Sequence, residues 1–413
     1  MRVLFVHSNF PGQFLRLAQA LKARGDEVRA LAAEGGRPET DIPITRFTPP
    51  PISDQANPVT ARFETDIGRA TAAQQVAQAL AAEGYAPDLI IGHPVFGEMT
   101  FLHLVWPHAR IIAYAENYID NISSTLDFEP MFPTLEPWQR QRTDIRHAGA
   151  ALTWMRADAL VSPTEFQRNT FPKQLRKAIT LIPDGVDTDE VRPRPGLTIN
   201  TAAGEIIAKP GDEVITYVNR YLEPLRGIHT FLRALQTTLQ QRPNARALIV
   251  GAPHNRTYGR SPPPGKTWPQ IFIDEAQGKL DLSRIHFLGR VDRASYLSVL
   301  AVSTAHVYLT YPYVLSWSAL EAMSAGCLLI GSKTAPVEEF VEHGRNGLLV
   351  DFFDHAALAQ TLTEALANPT AYNALRTQAR ADAIARYDLN TVALPQWLEL
   401  IDAVAAGDVS LGA

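Results

Sequence analysis

The sequence predicts an α/β protein made of two doubly wound domains of parallel strands, and three observations carry that prediction. Short apolar runs alternate with helix-length segments along the chain, the pattern of strands covered on both faces by crossover helices. A proline-bearing stretch, 191–211, interrupts this rhythm once, and the alternation then restarts. At 413 residues, 46% of them hydrophobic, the chain is long enough to bury two separate cores.

The elements follow in order. Arg2 to Val6 is an apolar run ending at Asn9-Phe10-Pro11-Gly12, after which Phe14, Leu17, Ala18 and Leu21 recur at helical spacing until Gly25. Glu27 to Ala32 and Ile44 to Phe47 read as the next strands, the latter closed by Pro49-Pro50-Pro51. An Ala- and Gln-rich helix over Thr60 to Glu83 leads into Asp88 to Ile91, and Ile111 to Tyr114 and Ala159 to Val161 repeat the buried-strand pattern. After the interruption come Val214 to Val218, a helix from Gly227 to about Gln240, then Ala245 to Val250, Ile285 to Leu288, Ala305 to Leu309 and Leu328 to Gly331. A loop from Pro253 to Trp268 carries Pro262-Pro263-Pro264. The expected division is a first domain over 1–192, a linker over 193–212 with a hairpin pivoting near Ala202-Ala203-Gly204, a second domain over 213–385, and a final helix over 386–413 packing back toward the first. Two such domains are expected to face each other across a cleft, with ligands at the carboxyl ends of the strands.

Composition excludes several classes. Thirty-eight Lys and Arg against 43 Asp and Glu give a formal charge of -5, and the charges are interspersed, so no nucleic-acid partner is expected. Cys327 is the single cysteine, which rules out an internal disulfide and suits a reducing cytoplasm. The start turns polar too early for a signal peptide, and no apolar run approaches the length of a membrane span.

Some motifs imitate chemistry. Gly265-Lys266-Thr267 resembles the end of a phosphate loop, but Arg260 stands where that loop requires glycine. Asp187-Thr188-Asp189 resembles a metal-holding aspartate pair, yet it follows Ile182-Pro183-Asp184-Gly185-Val186, where short polar residues form turns. No metal is expected. The stretch Ser316-Trp317-Ser318-Ala319-Leu320-Glu321-Ala322-Met323 reads differently. It is a short buried helix directly after a strand and loop, and its first amides and dipole suit a diphosphate. Glu321, one turn in, either accepts two ribose hydroxyls or closes a capping box with Ser318.

The string from Leu320 to Gly326, followed by Ala335-Pro336-Val337-Glu338-Glu339 and Asn346-Gly347-Leu348-Leu349-Val350, resembles glycosyltransferase family 4, the retaining, group 1 sugar-nucleotide transferases of the GT-B fold with two Rossmann-like domains. Ala157 to Glu165, Leu181 to Asp187 and Tyr217 to Gly227 resemble further landmarks of that family in the same order. The resemblance implies that Arg220 and Arg226 face the donor diphosphate, with Arg226 replacing the usual lysine one residue late. Guanidinium forks suit that role, since the leaving nucleotide's growing charge needs fixed cations. It implies that Leu288-Gly289-Arg290 brackets the base, which stays open between uracil and guanine, a UDP-linked donor being favoured over a GDP-linked one. Gly12 falls where the family places a glycine loop against the donor, although an ordinary turn explains it equally. Tyr313 occupies the position of the family's first sugar-holding glutamate, so it either meets the sugar or packs in the core while Ser316 takes over. Glu116 stands where many members place a histidine, and His93 is a second candidate at a strand end. The expected activity is transfer of a sugar from a nucleotide diphosphate, without a cofactor, to a glycan, lipid-linked or protein acceptor, with peripheral membrane contact left open. A sugar-nucleotide 2-epimerase and a non-catalytic sugar-nucleotide binder are the alternatives.

Overall fold

A computed structural model describes residues 1–35, 40–51, 57–121, 125–200, 206–252 and 257–408. The chain forms two compact units, one from Met1–Asp184 together with Asn390 onward, the other from Gly185–Leu389.

The first unit holds a seven-stranded sheet of β1 (Arg2–Val6), β2 (Glu27–Ala33), β3 (Ile44–Phe47), β4 (Leu89–Gly92), β5 (Arg110–Tyr114), β6 (Ala159–Ser162) and β7 (Ile179–Leu181), in the order β3-β2-β1-β4-β5-β6-β7. All six pairings are parallel, which requires a crossover between successive strands. Period-two alternation sends Val3 and Phe5 to one face and Leu4 and Val6 to the other. Helix Ala61–Ala82 packs Ala73 and Ala77 against the second face, small side chains that let helix and sheet approach closely. Helix Leu394–Ala406 places Trp397, Leu400, Ile401 and Val404 against the first. The end of the chain therefore completes the core that its start began.

The second unit holds a two-stranded hairpin, β8 (Ile199–Asn200) and β9 (Ile206–Ala208), whose proposed pivot at Ala202-Ala203-Gly204 lies outside the described residues. Its main sheet consists of β10 (Val214–Tyr221), β11 (Arg246–Ala252), β12 (Ile285–Gly289), β13 (Ala305–Tyr308), β14 (Leu329–Ser332) and β15 (Leu348–Val350), in the order β12-β11-β10-β13-β14-β15. Every pairing in it is parallel.

The boundary read from sequence after residue 192 lies inside the second unit. Val186 and Val191 are buried in that unit's core, so the prolines nearby mark turns within a domain. The return crossing lies beside the exit: Val186 bridges Asp388, whose carboxylate accepts from the Thr188 hydroxyl at 2.6 Å. Strands β7 and β15 went unread because each has three residues, too few for a periodicity to register.

Candidate functional site

In each sheet the strand order reverses once, between β1 and β4 and between β10 and β13. Loops leaving neighbouring strands there run to opposite faces of the sheet, and the crevice between them is where doubly wound folds hold ligands.

At the second reversal, β10 runs further than its apolar run suggested and carries exposed Arg220 near its end. The chain then makes a tight turn at Pro224–Arg226 and enters helix Ile228–Gln241 through Gly227 at φ 74°. A Cβ on Gly227 would stand 2.5 Å from Leu309 Cβ, so glycine is required where this loop crosses the end of β13. The turn buries Arg226, which is 5% exposed and so is not a surface charge. Its Nη1 donates to Thr310 Oγ1 at 2.8 Å and to Tyr308 Oη at 3.3 Å, and its guanidinium lies 5.6 Å from the Tyr313 ring. Among the described residues no carboxylate lies within ion-pair distance of Arg226, and its Nε and Nη2 have no protein hydrogen-bond acceptor. A buried cation with unspent donors can accept an anion from outside the protein.

Tyr308 links this cation to the following helix, because its hydroxyl also accepts from Ser316 N at 2.8 Å. Helix Trp317–Ser324 starts there with Ser316 as its N-cap. Ser318 Oγ donates to Val218 O at 3.3 Å and stands 3.0 Å from Ser316 Oγ; Ala319 is buried in the core, while Trp317 is half exposed. The capping-box option fails: the cap is Ser316, not Ser318, and Glu321 does not reach back. Its Oε1 accepts from Arg293 Nη1 at 2.5 Å and its Oε2 from the Tyr296 hydroxyl at 2.7 Å. Core packing of Tyr313 fails as well, since the residue is only partly buried and its ring faces Arg226 and, at 6.0 Å, Tyr258.

Arg220 joins the same group through Tyr258, donating from Nη1 to its hydroxyl at 3.2 Å. Leu288, Gly289 and Arg290 close β12 two strands away, with Gly289 at φ 66° and Arg290 exposed. Asp187 serves as a turn former, accepting from Glu190 N at 3.0 Å. Thr267 of the false phosphate loop caps helix Trp268–Glu275.

At the first reversal, His93 follows β4 and is 3% exposed, with Nε2 at 3.4 Å from Glu116 Oε2. The structure thus brings these two sequence candidates together. His93 stands edge-on to His7 at 5.7 Å, and His7 Nδ1 accepts from Asn9 N at 3.0 Å. Gly12, at φ 52°, lies on the His7 ring so closely that a Cβ would sit 2.8 Å from it. The glycine turn is therefore required by packing, whatever else it does.

Sequence reasoning missed four contributors. Tyr258 and Thr310 lie in stretches read as loops, Glu223 in a stretch read for its arginines, and Arg69 in a helix read as alanine-rich. Arg69 Nη2 reaches Ser8 Oγ and Glu98 Oε1, both at 2.5 Å, beside the end of β1. The exception to local reading is Glu223, where an acid between Leu222 and Pro224, just past a strand end, was a visible signal.

Comparison with known proteins agrees with this geometry. Residues 24–191 match the model described as glycosyl transferase family 4 group, and residues 201–382 the model described as glycosyl transferases group 1. A phosphatidyl-myo-inositol mannosyltransferase of Mycobacterium leprae is 24% identical over 392 residues, covering 92% of this chain and 89% of the relative. A D-inositol 3-phosphate glycosyltransferase of Streptomyces avermitilis is 24% identical over 221 residues, 52% of this chain and 45% of the relative. Among solved structures, sucrose-phosphate synthase from Thermosynechococcus elongatus superposes with a TM-score of 0.73 at 20% identity, and Anabaena HepE in complex with UDP and glucose with 0.69 at 20%; each alignment covers 98% of this chain and 100% of the other. With two parallel-sheet units, each reversing its strand order once, and both family models matched, this chain is a transferase of the GT-B fold that belongs to the group 1 glycosyltransferases of family 4.

Proposed function

We propose that the protein moves a sugar from a nucleotide diphosphate to a glycan or lipid-linked acceptor, with Arg226 and Arg220 taking the charge of the departing diphosphate. Buried Arg226, with donors unspent and, among the described residues, no carboxylate within ion-pair distance, is the observation that carries this reading. As the bond from the anomeric carbon to the phosphate oxygen breaks, electrons pass to the diphosphate and the sugar becomes oxocarbenium-like. Donors already aimed at the oxygens stabilise that charge without reorganising, which is the source of the rate gain. The start of helix Trp317–Ser324 adds its dipole next to Arg226, through Tyr308 and Ser316.

Glu321 is assigned to the ribose hydroxyls: Arg293 and Tyr296 hold its two oxygens, and each carboxylate oxygen accepts more than one bond. Leu288, Gly289 and Arg290 are assigned to the base. Tyr313 is assigned to the sugar side of Arg226. In the first unit, the His93–Glu116 pair and the Gly12 turn are assigned to the reacting sugar and the acceptor hydroxyl. Retention of anomeric configuration and a UDP-linked donor complete the reading, the latter supported by the UDP complex of HepE. The name of the M. leprae relative supports a lipid acceptor. No cofactor enters the chemistry, and cations on side chains take the place of a metal. A cytoplasmic setting fits the lone cysteine, Cys327, whose buried thiol is pushed up to about 12. Among the described residues, no helix is long and apolar enough to cross a membrane.

A thermal-shift panel of UDP- and GDP-sugars tests this directly. A cognate donor at 100 times its dissociation constant stabilises by about 2.7 kcal/mol. No shift with any nucleotide sugar or with free UDP or GDP sinks the proposal.

A further inference from the structure

We propose that Glu223 and Tyr258 are a positioning pair that holds Arg220 in place for the diphosphate, a role that rests on the donor reading above. Glu223 is 0% exposed. A carboxylate so placed is costly unless its oxygens are matched by donors. Both are. Oε1 accepts from Tyr258 N at 2.9 Å and Oε2 from Gly259 N at 2.8 Å, two consecutive backbone amides of the loop that follows β11. Burial raises the carboxyl's affinity for its proton, and these amides together with neighbouring Arg226 oppose that.

The clamp has a local consequence. Glu223 begins the tight turn that buries Arg226, so one side chain welds the exit loop of β10 to the exit loop of β11. The loops lie in direct contact, since a Cβ on Gly259 would stand 3.3 Å from Glu223 Oε2 and 3.4 Å from Leu225 Cβ. With its backbone fixed, Tyr258 packs edge-on against Tyr221 at 5.2 Å and lies 6.0 Å from Tyr313. Its hydroxyl is thereby set 3.2 Å from Arg220 Nη1, while the Arg220 guanidinium lies 5.8 Å from the Tyr221 ring. An exposed arginine otherwise samples many rotamers and loses that freedom on binding an anion. Held between a phenol oxygen and an aromatic face, Arg220 has surrendered part of it beforehand, which strengthens binding. The expected dependence runs from Glu223 through Tyr258 to Arg220, and Glu223 itself touches no substrate.

The test uses the full-length protein, with UDP and GDP as probes in titration calorimetry. Glu223→Gln keeps the shape but turns an amide N–H₂ toward one backbone N–H; Tyr258→Phe keeps the ring and deletes the hydroxyl. Each is expected to weaken binding of the nucleoside diphosphate by about fivefold to tenfold, and the double variant to be no more than about twofold worse than the weaker-binding single, as for residues acting through one path. In an Arg220→Ala background, Glu223→Gln is expected to add no further loss, which a purely structural role would not produce. Undiminished affinity in Tyr258→Phe, multiplicative losses in the double variant, or a full additional loss in the Arg220→Ala background overturns the inference, and Tyr258→Phe alone decides if Glu223→Gln fails to fold. Wild-type protein that binds neither UDP nor GDP overturns the donor reading and this inference with it; wild-type binding with undisturbed variants overturns this inference alone.

Discussion

The tight turn at Pro224–Arg226 directs the Arg226 side chain inward, where it is buried. An ammonium at this place keeps the charge but not the fork: after serving Tyr308 and Thr310 it has one N–H left for an anion, where the guanidinium keeps three. Arg226→Lys is therefore expected to weaken UDP or GDP binding by on the order of 1.5–3 kcal/mol, roughly tenfold to a hundredfold. Calorimetry checks it, and unchanged affinity removes Arg226 from the diphosphate. Glu321 carries more structure than its helical position suggested. Arg293 donates to it and also, at 2.8 Å, to Glu190, so with Tyr296 this carboxylate belongs to a four-residue network. Glu321→Gln is expected to cost about 1 kcal/mol of stability, discounted for the exposure of Arg293, along with weaker donor binding. For a unit of this size that is a fall of about 2–4 °C in the ligand-free melting temperature. A variant that melts like the wild type would show that Arg293 and Tyr296 do not depend on the charge.

Strand β13 illustrates how an element can carry a liability as well as a site. His306 lies opposite Thr216 of β10 in the parallel register, and its Nδ1 is 2.9 Å from the Thr216 hydroxyl, while its Nε2 is buried without a partner among the described residues. Burial pushes its pKa down to about 3, and burial does the same to His147 in the first unit, also to about 3. In the unfolded chain both bind a proton near 6.5. Between those values the unfolded state holds more protons, so stability is complete above about pH 6.5 and declines as pH falls toward 3, by up to about 1.4 kcal/mol per pH unit for each histidine. The melting temperature is expected to drop between pH 6.5 and pH 5, and His306→Asn, which keeps a hydrogen-bonding group for Thr216 but does not titrate, to flatten that slope. A slope equal to the wild type's would assign the acid sensitivity elsewhere.

Across the whole molecule, each unit repeats one plan, a parallel sheet whose order reverses at its first strand. The chain leaves the first unit at Asp184 and re-enters it at Asn390, so the first unit's core depends on residues from both ends of the sequence. The proposed neutralisation of the leaving group by Arg226 and Arg220, with no cluster of three or more His, Cys, Asp or Glu among the described residues placed to hold an ion, leads to a prediction for the complete enzyme. Transfer is expected to proceed at an undiminished rate in EDTA. Activity that vanished and returned with Mg²⁺ or Mn²⁺ would mean that a metal, not the guanidinium groups, takes up the leaving-group charge.

The order and direction of most strands, and the residues that end them, were legible in the sequence because apolar runs and helical periodicity are local properties. Arg220, His93 and Glu116 could be placed at or just beyond strand ends on those grounds alone. The contacts that build the site could not. Arg226 meets Tyr308 and Thr310 across sequence separations of 82 and 84 residues, Glu223 meets Tyr258 across 35, and Glu321 meets Arg293 across 28. Nothing periodic encodes such pairs. They exist because β12, β11, β10 and β13 are neighbours in that order, which brings four strand exits together at the carboxyl ends of the sheet, where burial then requires each polar group to find a partner. Sequence by itself determined all but the shortest strands of the two large sheets and the residues at their ends; only the tertiary structure decided which of those residues touch.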